Sequence, residues 1–386
     1  MSDKNFERIE TKVIHAGEPE PRIEGAVVTP LFQSVNFLVT EETGYDDIKY
    51  ARLNNTPNHD VLHAKLAALE NAQAALVTGS GMAAISAALL TFLRQGDHLL
   101  VQDCLYGGTH SFVFDDLPTW GIEVSVFDPT VPQEWERQLR PETRVIYAET
   151  IANPLIRVGE LDAIAAFARQ HALVSMIDNT FASPVNFRPA EHDFDLSLHS
   201  GTKYLNGHSD IVAGAVIGQR GHVERVRHML NHLGGTLDPH ACFLLQRGIK
   251  TLVLRVRQQN ASAMEIAQFL AAHANIESVN YPGLESSSDH ARARRLLDGF
   301  GGMLSFEVKG GVEAAQRILD RVSIPLVAVS LGGVETLITR PATTSHAGMS
   351  AQARAAVGVT DTLIRLSVGI EATADLIEDL AAALET

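Results

Sequence analysis

Apolar positions along this chain follow two rhythms in turn, short continuous runs and helix-spaced repeats. The runs AALVT (74–78), HLLVQ (98–102), IEVSVF (122–127), VIYAE (145–149), LVSMID (173–178) and LSLHS (196–200) are each five or six residues long. A run that is apolar throughout suits a strand buried on both faces. Most runs are separated by segments long enough for a crossover helix, and Leu62, Leu66 and Leu69 show helical spacing ahead of the first. The alternation predicts an α/β fold, a mostly parallel sheet with helices on both faces. Residues 1–60, from TKVIHAG to the turn formers of YARLNNTPNHD, read as an irregular, extended arm. Beyond about residue 255 the rhythm changes. A long helical stretch from Arg257 to Ala274 leads to SVNYPGL, MLSFEV, LIRLSV and a closing helix. This predicts a smaller α+β C-terminal domain, and the expected division is 1–60, 61–255 and 256–386.

The 386-residue length and a hydrophobic fraction of 45% fit one large and one smaller globular unit. The polar start MSDKNFERIE has no apolar signal core, and no stretch is long and apolar enough to span a bilayer, so a soluble, cytoplasmic protein is expected. With only Cys104 and Cys242, neither a disulfide framework nor a cysteine-based zinc site can be built. A formal charge of -15 repels a phosphate backbone and argues against a nucleic-acid partner.

Five short stretches carry candidate chemistry. In LHSGTKYLNGHSD (198–210), Lys203 lies among Ser200, Gly201, Thr202 and Gly207. Hydroxyls beside a lysine suit a phosphate placed next to a reactive amine, where an isolated lysine would be a solvated surface charge. In VTGSGMAAI (77–85) a strand ends in glycines and a helix begins, which makes an anion site of backbone N–H groups. The same residues fit the dinucleotide pattern G-x-G-x-x-A, with Asp103 about 20 residues on as the ribose acid, so a nicotinamide-dependent oxidoreductase is a rival reading. Asp178 ends the run SMIDNT at the expected carboxyl edge of the sheet, where it could pair with a pyridinium nitrogen or simply cap a turn. Tyr106 of LYGGTH could stack on a flat ring or be a half-buried core residue. Arg365, inside the apolar TLIRLSVGIE, needs an anion, either a substrate carboxylate or an internal Asp or Glu. His59 and His63 in HDVLH approach zinc-protease spacing, but Asp60 stands where the glutamate would be and the flanking turn formers argue against a full helix. No metal site is expected.

Taken in order, TKVIHAG, GAVVTPLFQSVNF, YARLNNTP, SGMAAI, LYGGT, ANPLIRV, SMIDNTFASP, HSGTKYLNGHSD, YPGL, GFGGMLSFEV, SLGGVETL, RPATTSHAGMS and LIRLSVGIE resemble the Cys/Met metabolism family of pyridoxal 5'-phosphate (PLP) enzymes over nearly the whole chain. That family includes cystathionine γ-synthases, cystathionine lyases and methionine γ-lyases. The resemblance implies PLP fold type I, aspartate-aminotransferase-like, with PLP as the cofactor. It implies Lys203 as the Schiff-base lysine and proton carrier, Asp178 as the pyridine-nitrogen partner, and Tyr106 as the stacking and proton-transfer residue. Phosphate contacts fall on Gly81 and Met82 through their backbone and on Ser200 and Thr202 through their hydroxyls. Thr180 belongs with the cofactor contacts. Tyr50 and Arg52 match the pair that reaches a neighbouring subunit's phosphate, which implies an obligate dimer and, as is usual in the family, a homotetramer. Arg365, Ser330 and Asn153 match the binding site for an amino-acid substrate.

Three departures bear on the reaction. Members acting on cystathionine or succinylated substrates commonly have an arginine where this chain has Ser111, and a glutamate where it has Val329. Methionine γ-lyases carry a cysteine where it has Gly108. The first two favour a substrate without a charged distal end; the third leaves the match to methionine γ-lyase incomplete. NTP at 55–57 replaces the usual NPT, and RPATTSH is shared in style with homoserine sulfhydrylases. The expected activity is a PLP-dependent carbon–sulfur lyase giving a 2-oxo acid, ammonia and a thiol, with γ-replacement on an O-acylated homoserine as the alternative. A non-catalytic PLP-binding protein is a further reading.

Overall fold

The computed structural model describes residues 6–385 except 42, 45, 46, 346, 349 and 357; His346 and Met349 of the RPATTSHAGMS stretch thus lie outside the described residues. Seven strands form the larger sheet: β1 (Ala74–Thr78), β2 (His98–Gln102), β3 (Glu123–Phe127), β4 (Thr143–Glu149), β5 (Val174–Asp178), β6 (Leu196–Ser200) and β7 (Gly214–Gly218). Their order is β1-β7-β6-β5-β4-β2-β3, with parallel pairing from β6 through β3 and β7 antiparallel to both neighbours. The six apolar runs each overlap one of these strands, β4 starting two residues ahead of its run. The seventh, GAVIG, escapes a pattern reading because glycine at both ends dilutes the apolar signal of a strand that is nonetheless buried throughout.

Successive side chains on a strand point to opposite faces, and both faces are covered. On one side Ile146, Ile177 and Ile217 pack with Leu62 and Leu66; on the other Val145, Tyr147 and Val216 pack with Ile85 and Leu230. The second sheet, β8 (Ile276–Asn280), β9 (Met303–Val308), β10 (Leu326–Val327), β11 (Leu337–Thr339) and β12 (Leu363–Ser367), has the order β10-β11-β12-β9-β8. It packs its own core of Leu304, Phe306 and Ile364 against Ile266 and Leu380 from helices Leu252–Ala272 and Thr373–Leu384. The first of these helices starts five residues before the stretch expected from spacing.

Two expectations need correction. The arm is not irregular throughout, because Ile9–His15 is helical and buries Lys12 and Val13. HDVLH does lie within a full helix, Pro57–Leu69, since Pro57 occupies the first helical position, where its missing N–H costs nothing. His59 uses its ring there in the packing, with Nδ1 2.7 Å from Thr56 Oγ1 and Nε2 2.8 Å from the Leu237 carbonyl. Among the described residues no cluster of three or more His, Cys, Asp or Glu side chains could hold a metal.

Candidate active site

The carboxyl ends of β1, β2, β4, β5 and β6 share one edge of the larger sheet, the place where open α/β folds bind ligands. The segments that leave those strands bring Gly81, Met82, Tyr106, Glu149, Asp178 and Lys203 to a cavity of about 600 Å³. Its opposite wall comes from the smaller sheet: the turn at Val329, Ser330 and Leu331, the segment Thr343–Ser345, and Arg365 from the middle of β12.

Lys203 and Arg365 are the only lysine and arginine side chains lining this cavity among the described residues. Burial, with Arg365 beside it, lowers the Lys203 amine to about 8, so that a minority of it, about a fifth, is neutral near physiological pH. Its Nζ donates to Ser330 Oγ at 2.7 Å. Arg365 is 5% exposed and finds no carboxylate among the described residues. Its Nη1 donates to Asn153 Oδ1 at 3.1 Å and its Nη2 to the Ser330 carbonyl at 3.0 Å, while Nε is buried without a partner. Burial lowers the guanidinium to about 10, leaving it charged. A buried cation held by neutral acceptors, with one N–H unsatisfied, is arranged for an anion from outside the chain.

Two carboxyl groups face the same space. Asp178 and Glu149 sit in register at the ends of β5 and β4, and neither pairs with a cationic side chain among the described residues. Asp178 accepts the Thr180 N–H at 2.9 Å; burial raises its pKa while hydrogen bonding from Thr180 and the nearby His199 act against the rise. Glu149 is pushed well above the usual carboxylate range, first by burial and then by the charge of Asp178. Burial and mutual repulsion push both carboxyls toward the protonated form, Glu149 the more strongly of the two. Glu149 is a site residue that the sequence motifs do not pick out, although it ends its apolar run just as Asp178 does.

The helix Gly81–Phe92 starts at the cavity with Ser80 as its cap, Oγ accepting the Ala83 N–H at 3.0 Å. The N–H groups of Gly81 and Met82 have no partner among the described residues. Gly81 is required by close approach, because a Cβ there would come within 2.9 Å of Ser200 Cβ. Ser200 lines the cavity on this side, anchored by its N–H to Thr180 Oγ1 at 2.8 Å. Thr202 lines it too, but its hydroxyl donates to the Ala213 carbonyl at 3.2 Å and accepts the Ala213 N–H at 3.0 Å. Tyr106 is 44% exposed with its ring on the cavity, so it is not a core tyrosine. Open helix N–H groups, hydroxyls, a carboxylate without a cation and a partly neutral amine are the donor set that PLP requires, and they fit it.

Tyr50 and Arg52 stand apart. Tyr50 bridges Asn36, the Arg52 guanidinium lies 5.8 Å from the Tyr50 ring centre, and Arg52 Nη1 donates to the Asn231 carbonyl at 2.8 Å; neither lines the cavity of its own chain. Ser111 ends the short helix Gly107–Ser111 outside the cavity lining, whereas Val329 is part of it. The dinucleotide reading fails on topology. That fold places its ribose acid on the strand beside the glycine turn. Here β7 lies beside β1, β2 is four strands further across, and Asp103 is tied to Arg157 at 3.0 Å.

The model of the Cys/Met metabolism PLP-dependent enzyme family matches residues 10–385. The chain is 38% identical to an L-methionine gamma-lyase of Fusobacterium nucleatum subsp. polymorphum, covering 97% of each. It is also 38% identical to a cystathionine beta-lyase of Coxiella burnetii, again over 97% of each. Among solved structures, a cystathionine gamma synthase from Xanthomonas oryzae pv. oryzae, in complex with aminoacrylate and cysteine, superposes with a TM-score of 0.94 at 38% identity, covering 98% of this chain and 97% of that one.

Proposed function

The chain belongs to the Cys/Met metabolism PLP-dependent enzyme family and is a PLP-dependent carbon–sulfur lyase of fold type I; from that premise we propose that its substrate is a sulfur amino acid whose side chain ends without charge, as in methionine. The observation that carries this reading is the make-up of the cavity. One buried arginine is left for the α-carboxylate, and the remaining wall includes Ile151, Phe181, Val212 and Val329 with no further lysine or arginine among the described residues. The overall reaction takes up water and releases a 2-oxo acid, ammonia and a thiol.

PLP, when bound, supplies an electron sink for negative charge at the carbon bearing the amino group. Lys203 Nζ would anchor the cofactor and would also be the group that takes and returns protons. Its lowered pKa suits both duties. Asp178 would hold a proton on the cofactor's ring nitrogen, and the Tyr106 ring would stack on the cofactor. The N–H groups of Gly81 and Met82 and the Ser200 hydroxyl would receive the phosphate, the Thr202 hydroxyl joining them by turning from the Ala213 carbonyl, and Thr180 ties Ser200 to Asp178. Arg365, steadied by Asn153 and Ser330, orients the substrate carboxylate.

We place the active unit in a homotetramer built from dimers, in which Tyr50 and Arg52 serve the neighbour's phosphate. Supporting this, the arm of residues 1–60 exposes apolar side chains a lone chain would bury, Val27 at 83% and Leu38 at 98%. In this reading 61–255 form the cofactor-binding unit and 256–386 the C-terminal one. A cytoplasmic setting fits two buried, unpaired cysteines. A second reading, γ-replacement, has support from the likeness to the synthase of Xanthomonas oryzae pv. oryzae.

Incubating the purified protein with methionine, cystathionine and homocysteine, and measuring 2-oxo acid, tests the assignment. Release from methionine well above that from cystathionine is expected. Preference for cystathionine overturns the substrate reading, and efficient thiol transfer to O-acylhomoserine without 2-oxo acid release favours replacement.

A further inference from the structure

We propose that Glu149 is a positioning residue that joins the cofactor-stacking face and the substrate clamp into one hydrogen-bonded unit, an inference that rests on the roles given above to Tyr106 and Arg365. Its side chain is buried at the end of β4, on the cavity lining and between the two segments involved. The Tyr106 N–H donates to Glu149 Oε1 at 2.6 Å, and the Asn153 backbone N–H faces the same carboxyl group. Asn153 in turn accepts from Arg365 Nη1 at 3.1 Å through its side chain. A single carboxyl group thus fixes the backbone of the residue that carries the stacking ring and sits beside the backbone of the residue that aims the arginine.

The surroundings reinforce this placement. The Glu149 N–H donates to Gln102 Oε1 at 2.9 Å, Gln102 Nε2 donates to the Cys104 carbonyl at 2.5 Å, and Cys104 Sγ lies 3.4 Å from the Asn153 carbonyl. The segments leaving β2 and β4 are therefore tied to each other as well as to Glu149. No role assigned to the cofactor contacts uses Glu149, and a charged carboxylate close to the clamp would repel the substrate's own. A protonated carboxyl group keeps the acceptor oxygen that Tyr106 uses without that repulsion.

The test compares Glu149→Gln, which keeps an acceptor oxygen in the same shape, with Glu149→Ala, which removes it. PLP-loaded protein is titrated with L-norleucine and with n-pentylamine, the same chain without the carboxylate, following binding by the visible absorption and circular dichroism of the cofactor. Wild type should prefer norleucine. In Glu149→Ala that preference should fall about tenfold or more and the cofactor's dichroism should change, whereas Glu149→Gln should stay within about threefold of wild type, since the geometry of one hydrogen bond rather than a charge is at stake. Should the alanine variant not fold, Glu149→Asp, which draws the oxygen back by one carbon, replaces it and should lose part of the preference. Unchanged preference and dichroism in Glu149→Ala overturn the proposal, as does a glutamine variant as impaired as the alanine one. If wild type itself shows no preference for the carboxylate, the reading of Arg365 as the clamp fails instead.

Discussion

Ser330 touches both cations of the cavity, its hydroxyl accepting from Lys203 Nζ at 2.7 Å and its carbonyl from Arg365 Nη2 at 3.0 Å. It does so at φ +88°, in the left-handed region that favours glycine. The amine proposed to move protons and the arginine proposed to orient the substrate are thus indexed to one residue of the turn between β10 and β11.

Removing the hydroxyl should leave the cofactor attached and slow the chemistry. Ser330→Ala is expected to retain a borohydride-reducible link to Lys203, seen by mass spectrometry of the peptide, while kcat falls by about tenfold because the amine loses its aim. Ser330→Gly loses the same hydroxyl but relieves the backbone. It should melt at a higher temperature than Ser330→Ala, by an amount matching about 1 kcal/mol.

Arg365 should cost the protein stability for the sake of substrate binding. Its charge is buried, lowered to about 10 by that burial, and held only by neutral acceptors. Arg365→Met should raise the denaturation midpoint of the cofactor-free protein by the equivalent of about 1–3 kcal/mol and raise KM at least about a hundredfold. A loss of stability on this substitution would mean that an anion already neutralises the site.

Much of this arrangement is legible in the sequence because strand ends in a parallel sheet are marked by where an apolar run stops. Asp178 and Lys203 follow from that rule, and so, in principle, does Glu149, which ends VIYAE in the same way. A terminal carboxylate says nothing of its neighbour until the strand order is known, and β4 beside β5 is a fact of topology. The dinucleotide reading fails for the same reason: Gly79 to Ala84 has the right local pattern, but β7, whose glycines hide it, separates β1 from the parallel strands. The helix Pro57–Leu69 runs through turn formers because tertiary burial of Leu62, Leu66 and Leu69 outweighs their local preference. Tyr50 and Arg52 come from resemblance alone, and nothing in their own chain's packing gives them a ligand.

The pH behaviour of Lys203 has a definite sign. Its folded pKa is lowered from 10.5 to about 8, mainly by burial. In cofactor-free protein the neutral, nucleophilic amine therefore accumulates as pH rises through about 8, and the rate of PLP capture, followed by absorbance in stopped flow, should rise to a plateau just above it. Between about 8 and 10.5 the unfolded chain binds more protons at this lysine than the folded one, so the group makes the protein more stable as pH increases across that window. Lys203→Met should remove this increment. A capture rate still climbing at pH 10 would place the amine in a solvated setting.

Gly108 separates stability from catalysis at a single atom. A Cβ at this position would lie 2.7 Å from Tyr106 Cε1 and 3.1 Å from Met82 Sδ, so a larger residue must push the ring. Tyr106 is 44% exposed, which leaves its ring room to be displaced, and Gly108 sits inside the short helix Gly107–Ser111, where alanine is the better helix former by about 1 kcal/mol. Gly108→Ala should consequently melt no lower than wild type. The displaced ring should nevertheless change the visible dichroism of the bound cofactor and lower kcat/KM for methionine about tenfold. Gly108→Cys, the residue methionine γ-lyases carry at this place, should move the ring in the same direction. Unaltered dichroism and turnover in both variants would show that the Tyr106 ring is not held against Gly108 when the cofactor is bound.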